Sequence, residues 1–484
     1  MNTRRKILST NRFTKKKYRY GEPEFRAAII PHAGTKFAGK ARESVFSKMK
    51  ERHKHNAIKK IIYISAIHDS SNIRQGIYEF SKDNSFGKTP HIEKLHNVKE
   101  HSFTWVENEL RESFPLASIL VITPVKIYKH ISMQKWISDY MRKHKNCLLF
   151  STTDLTHHGT NYNNNTLRHP HRLHKQHQEE EFISELVKEH LSPKKIVTFV
   201  KQNVLLCGPY SVAIFINIMK TLGMTGKVTD YYDSNFGDKQ LNKYVILHKP
   251  LPDFVSYVSI IYGKGVSQNT LEHLDIMMAI GIVKSEIIKI LHNNHYSVRL
   301  PYWSPFYKMK QGVFVGTSLG KKTNCSYGRY EVDSKSSKKH NLLENTAKKI
   351  VEAAGDCMKD ARDRWKIPYK IDDLDRLNYK IELLQPKKYW KEYSGKDVKR
   401  HFKLDGKQGI YLTLKDKGGS FAKRSATYLP VVARENKDWT IDKYMNLLSE
   451  KANGLPNEWV NGKIKIYTST SYTWDSNNQK LIIE

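Results

Sequence analysis

Short apolar runs and amphipathic stretches alternate through the first half of the chain. A short β-branched run at residues 26–30 and apolar runs at 59–65, 117–123 and 146–152 predict strands. The third is expected to stop at Pro124, which has no N–H to give to a sheet. A Gly-punctuated turn after the first run leads into a helical pattern at 40–52. Further helical patterns lie at 178–190 and 210–222, before a closing strand at 255–262. Strands separated by helical patterns predict an α/β domain with a largely parallel central sheet.

The character changes beyond the turn-rich stretch at 263–269. A helix-period segment at 271–292 precedes strand-like runs at 312–315 and 409–414 and helical ones at 342–363 and 441–452, a mixture that predicts α+β. The length of 484 residues predicts several domains, each with its own core. The one biased tract is a polar, His-rich loop expected between residues 159 and 177.

Composition changes this picture little. Hydrophobic residues make up 39% and aromatics 11%, as in ordinary globular chains. No apolar run reaches the roughly 18 residues that span a bilayer, so no membrane insertion is expected. The basic N-terminal stretch lacks the apolar segment of a secretion signal. Four cysteines, at 147, 207, 325 and 357, form no CxxC pair, and their sparseness points to a reducing, cytoplasmic setting.

Charge adds a partner class. Against 82 Lys and Arg stand 48 Asp and Glu, a net +34 that attracts polyanions, nucleic acid among them. The surplus runs the whole length of the chain and shows no aromatic interleaving, so a solvated lysine-rich surface explains it at least as well.

Chemistry gathers at the strand ends. "AAIIPHAG" puts His32 just past a strand, "IIYISAIHDS" does the same for His68, and "LLFSTTDLTHHG" supplies Asp154, His157 and His158. In open α/β sheets the carboxyl ends of strands line the ligand crevice, so these side chains can converge. Cys207, in "LLCGPYS", precedes a helix whose N-terminus is expected to favour a thiolate. Imidazoles and a thiolate suit iron, copper or zinc. A lone strand-end histidine is more often a surface residue, and a lone cysteine a small buried hydrophobe; the coincidence of several on one crevice is what tilts the reading. The later histidines at 169, 171, 174 and 177 lack metal-site spacing.

These residues resemble, in order, the MEMO family: "AAIIPHAGTKFAGKA", the strand ending at His68, His101-Ser102, "STTDLTHHG", "LLCGPYSVAIFINIMKTLG", "YYDSN" and "SYVSIIYG". The resemblance covers about residues 24–264 and implies an extradiol dioxygenase-like fold. It also implies metal ligands at His32, His68 and Cys207, and a DxxH element at Asp154 and His157. Where the family has Gly-Pro-Ser-His, this chain has Ser65-Ala66-Ile67-His68, and the counterpart of the family's HSxE glutamate falls on Glu107 or Glu109. From about residue 272 to 475 the chain resembles the AMMECR family, chiefly in "SATYLPVVARENKDWT" and "LDGKQGIYLTL". The family's LRGCIG signature corresponds to "KTNCSYG", which keeps Cys325 and Gly328 but loses the arginine. The structural reading of Cys325 is a half-buried strand-end residue. The expected division is therefore a basic extension at 1–23, a MEMO-like domain at 24–264, a linker at 265–271 and an AMMECR-like α+β domain at 272–484.

This pairing is similar to fusions that accompany radical SAM proteins, which implies a shared pathway, such as modification of a macromolecule. The expected function is an iron or copper site, with zinc third, of redox or dioxygenase-like character. His157 would be general acid or base, Asp154 its orienting partner and His101 a further candidate catalytic residue. One alternative is an adaptor whose crevice binds an acidic or phosphorylated protein. Another is a nucleic-acid-associated modification factor.

Overall fold

The computed structural model describes residues 24–53, 57–68, 75–79, 86, 93–94, 100–127, 129–162, 172–187, 192–202, 206–235, 241, 244–245, 253–266, 270–319, 322–329, 345–363, 370–415 and 424–484. The expected basic extension at 1–23 lies outside them.

The first half runs β1 (Glu24–Ile30), α1 (Thr35–Arg52), β2 (Lys60–Ile64), β3 (Gly76–Glu79), β4 (Glu93–Lys94), α2 (His101–Ser113), β5 (Ser118–Val125), α3 (Ile131–Lys143), β6 (Cys147–Thr152) and β7 (His157–His158). It continues with α4 (Arg172–Val187), α5 (Pro193–Gln202), α6 (Pro209–Leu222), β8 (Thr225–Asp233) and β9 (Phe254–Lys264). Among the described residues these strands make one mixed sheet, ordered β4-β3-β5-β2-β6-β1-β9-β7, with β8 paired to β9. Its centre is parallel: β5 on β2, β2 on β6, and β6 on β1. β9 runs antiparallel to β1 and β8.

Both faces of the central strands are covered, which is why those strands read as unbroken apolar runs. Ala27, Ile29, Ile62, Ile64 and Leu149 enter one apolar cluster with Ile137 of α3 and Phe215 of α6. Their neighbours Ala28, Ile30, Ile61, Tyr63 and Phe150 enter another, with Phe46 of α1 and Leu110 of α2. Pro124 does not stop β5, which reaches Val125. The parallel pairing with β2 has already ended at Ile122, and Pro124 sits opposite Ile77 of antiparallel β3, so the missing N–H costs the central ladder nothing. β8 escaped the sequence reading because "TGKVTDYYD" mixes glycine and charge with its apolar residues.

The second half begins with α7 (His273–Leu291), then β10 (Val313–Leu319), β11 (Lys322–Arg329), α8 (Thr346–Asp363), β12 (Asn378–Leu384), β13 (Lys391–Ser394), α9 (Val398–His401) and β14 (Gly409–Leu414). It ends with β15 (Arg424–Tyr428), α10 (Pro430–Glu435), α11 (Ile441–Lys451), β16 (Lys463–Tyr467), β17 (Ser469–Asp475) and β18 (Lys480–Ile483). Two antiparallel sheets form, ordered β11-β10-β12-β17-β18 and β13-β16-β14-β15. The α/β and α+β expectations therefore hold.

Two expectations need correction here. Cys325 is not a half-buried strand end: β11 continues past it to Arg329, α8 covers it, and it is fully buried in a disulfide with Cys357. Nor is the packing confined to clusters within each half: beside the separate ones, one cluster spans both. α7 is buried from Leu274 to Ile287, and one cluster runs from Phe215 through Ile280 to Ala354 and Ile381. A helix buried on every side, Asp275, Lys284 and Glu286 included, must be packed all round, and both halves supply that packing. The four-stranded sheet has a separate cluster around Leu412, Tyr444 and Ile464. Among the described residues no helix is long and apolar enough to cross a membrane.

Candidate metal centre

β2, β6 and β1 are neighbours in the parallel part of the sheet, and the loops at their carboxyl ends carry His68, Asp154 and His32. Strands so paired lie about 4.8 Å apart, so side chains from adjacent loops can meet. His32 Nε2 and His68 Nε2 stand 3.2 Å from each other. Cys207 comes from elsewhere, immediately before the Gly208 N-cap of α6. Donor atoms of His32, His68 and Cys207 all lie within 4.8 Å of one another.

The end of β6 holds Cys207 in place. Ser211 Oγ donates to the Thr152 carbonyl at 3.1 Å, Gly208 N–H to Thr153 Oγ1 at 3.3 Å, and Cys207 N–H to the Asp154 carbonyl at 3.4 Å. A Cβ on Gly208 would lie 2.5 Å from Ser211 Oγ and 2.6 Å from Thr152 O, so this approach requires glycine.

Each ring is oriented from behind. His32 Nδ1 lies 3.0 Å from Thr152 Oγ1, and its backbone N–H donates to Asp154 Oδ1 at 2.8 Å. His68 Nδ1 donates to Glu100 Oε1 at 2.8 Å, which leaves the Nε2 lone pair facing His32. Burial, reinforced by His68 and His101, holds His32 well below the usual histidine range, so its ring is neutral. The expected thiolate at Cys207 does not follow from the helix end. Burial, with Asp154 adding to it, pushes the thiol up. A cation among these donors would reverse that balance, since a metal-bound thiol is deprotonated. Two imidazole nitrogens that meet beside a sulfur thus fit a transition metal.

His157 and Asp154 flank the sulfur. Together with Cys207 they make a second group whose donor atoms lie within 4.8 Å. His157 Nδ1 donates to the Leu155 carbonyl at 3.0 Å, which puts the ring's accepting nitrogen at Nε2, 3.4 Å from Cys207 Sγ. Burial lowers His157 and raises Asp154. Asp154 also takes the Ala33 N–H at 3.4 Å, so its carboxylate orients the His32 turn as well as lying beside His157. His101 stacks on His68 with centroids 3.9 Å apart, and half-exposed Trp105 leans on His101 at 4.3 Å.

Neither glutamate expected as the HSxE counterpart reaches the donors. Exposed Arg111 pairs with Glu107, while Glu109 accepts from Arg42 and from Thr35 Oγ1 at 2.7 Å. Arg42, fully buried, also donates to the carbonyls of Pro31 and Ala33 on either side of His32. The carboxylate at His68 is Glu100, which sequence reading missed. Its place directly before His101-Ser102 at a helix start was the available signal. Although burial opposes it, hydrogen bonds from His68 and from the Ser102 N–H hold Glu100 at about 2.

The expected His-rich loop is partly helical, since α4 begins at Arg172 and includes positions 174 and 177; His169 and His171 lie outside the described residues. Cys325 is remote from this chemistry, sealed in its disulfide.

Comparison with known proteins finds two families along the chain. Residues 86–245 match the model of the Memo-like protein family, and residues 285–474 match that of AMMECR1. Among curated proteins none matches the chain. A crystal structure of an uncharacterized protein from Pyrococcus horikoshii matches at 17% identity, over 43% of this chain and 94% of that one, with a TM-score of 0.34. The chain is a Memo-like domain fused to a C-terminal AMMECR1 domain.

Proposed function

We propose that the Memo-like half binds one iron or copper ion, with zinc the third choice, through His32 Nε2, His68 Nε2 and Cys207 Sγ, and that it is a metal-dependent oxidoreductase-like enzyme. The observation that carries this reading is the approach of these donor atoms to within 4.8 Å of one another. A redox-active ion held there supplies electron transfer and Lewis acidity.

The chain's own residues supply the proton handling. His157, neutral and with Nε2 beside the sulfur, accepts the thiol proton or exchanges one with substrate. Asp154 holds the His32 turn and sets the local field at His157. The crevice would lie at the carboxyl edge of the parallel strands, with His101 and Trp105 at its rim. In this reading residues 24–264 are the metal-holding unit, 265–271 the linker and 272–484 the second unit. A radical SAM enzyme is the partner that the fusion suggests.

Metal analysis of purified protein tests the assignment. About one ion per chain is expected, lost in both His68→Ala and Cys207→Ala. Full occupancy in those variants would refute the ligand set. Undiminished binding of an acidic or phosphorylated partner by metal-free protein would favour the adaptor reading. Steep salt dependence with a preference for one RNA over another would favour the nucleic-acid reading.

A further inference from the structure

We propose that Glu100 is the positioning residue for His68, fixing both its ring orientation and the nitrogen that carries its proton. This inference rests on the metal-site reading for its consequence, though not for its geometry.

Past Ile64 the chain leaves β2, and no described strand or helix holds residues 65–68. Support comes from α2. Ser102 Oγ donates to the Ala66 carbonyl at 2.9 Å, and Ser65 Oγ lies 2.5 Å from Ser102 Oγ. Glu100 then takes His68 at two points: Oε2 accepts the backbone N–H at 2.9 Å and Oε1 accepts ring Nδ1–H at 2.8 Å. Oε1 also accepts the Ser102 N–H at 2.9 Å, which caps α2 and ties the carboxylate to a rigid element.

A helix cap needs only one oxygen. Here the capping oxygen, Oε1, also takes the His68 ring and the second, Oε2, takes the His68 backbone, which is what makes Glu100 more than a cap. Gripping one residue by main chain and ring together fixes its side-chain torsions, and accepting from Nδ1 places the proton there. The stacked His101 ring closes the other side of His68. Nε2 is left as a lone pair aimed at His32 Nε2, 3.2 Å away.

Glu100→Gln isolates this role. The amide has one accepting oxygen, so it cannot take the Ser102 N–H, the His68 N–H and the ring N–H as the carboxylate does. Its NH2 group, turned to the ring, would donate to Nδ1 and move the ring proton to Nε2. Glu100→Asp keeps the charge and the cap and serves as the conservative variant, also covering the case in which the glutamine variant fails to fold.

Two readouts test the proposal. In metal-free protein, ring 15N shifts of His68 report the tautomer directly. The Nδ1–H form is expected in the wild type, a mixture or the Nε2–H form in Glu100→Gln, and return towards Nδ1–H in Glu100→Asp. Cobalt(II) titration, followed by its thiolate charge-transfer absorption, should show affinity falling about 10- to 100-fold in Glu100→Gln and partly recovering in Glu100→Asp. Leu448→Ala, in the separate core of the second half, should lower the melting temperature without changing either readout. An unchanged tautomer and unchanged cobalt affinity in Glu100→Gln would overturn the positioning role. Two cobalt ions per wild-type chain, one of them lost in Glu100→Gln, would overturn it by making Glu100 a ligand. If wild-type protein takes up no cobalt while the tautomer still responds, the metal reading fails and the positioning role stands.

Discussion

Cys207 and Cys325 sit in opposite surroundings. The first lies at a helix start beside the edge of a parallel sheet, its sulfur 3.4 Å from His157 Nε2 and near two further imidazoles. The second lies within an antiparallel strand, covered by α8 and bonded to Cys357. Parallel strands end together on one side of a sheet, so their loops collect polar side chains there. Antiparallel strands return through hairpins and spread their loop ends over both edges. A thiol in the first setting is available for ligation, whereas in the second it becomes a brace between strand and helix.

The largest expected effect comes from removing each sulfur in turn. Cys207→Ser should weaken cobalt(II) binding at least about a thousandfold, a loss of about 4 kcal/mol in binding energy, with little change in melting temperature. Cys325→Ser should do the reverse, costing about 2–4 kcal/mol of stability while cobalt binding stays intact. Equal effects on binding in a paired titration and melting experiment would erase the contrast.

Next comes the brace behind His32. Arg42 is fully buried, and Arg42→Met leaves Glu109 and the carbonyls of Pro31 and Ala33 without their donor. Urea denaturation should show a loss of about 3–5 kcal/mol, as expected for breaking a buried ion pair.

Ile280→Ala probes what the halves share. Ile280 is fully buried on α7 within the common core, so truncation should cost about 2–4 kcal/mol. Calorimetry should show the unfolding of both halves shifted together. A shift confined to one transition would mean that the other half does not depend on this helix.

The smallest effect is on pH dependence. Glu100 is held at about 2, below its ordinary 4.5, so its stabilising contribution is complete above 4.5 and is lost as pH falls towards 2. His32 is also lowered, from 6.5. The unfolded chain therefore binds its proton first as pH falls, and stability declines below 6.5. Both act in the same direction, making acid more damaging to the first half than to the second. His32→Gln should flatten the upper part of that decline in urea midpoints measured between pH about 7 and 5.

Much was readable along the chain. The runs at 26–30, 59–65 and 146–152 are apolar at successive positions because helices cover both sheet faces, and that pattern survives in one dimension. His32 and His68 could be singled out because each directly follows such a run. Other features left no comparable trace. Glu100 is an ordinary acid in sequence, and it matters only because the crossover from β2 through β3 and β4 returns α2 to the end of β2. Glu109, one of the two expected counterparts, lies more than two helical turns further on and pairs with Arg42 instead. The Cys325–Cys357 bond and the shared α7 core likewise join segments distant in sequence. Local pattern records what each element must bury, whereas the choice of hydrogen-bond partner depends on distances that only the packed chain sets.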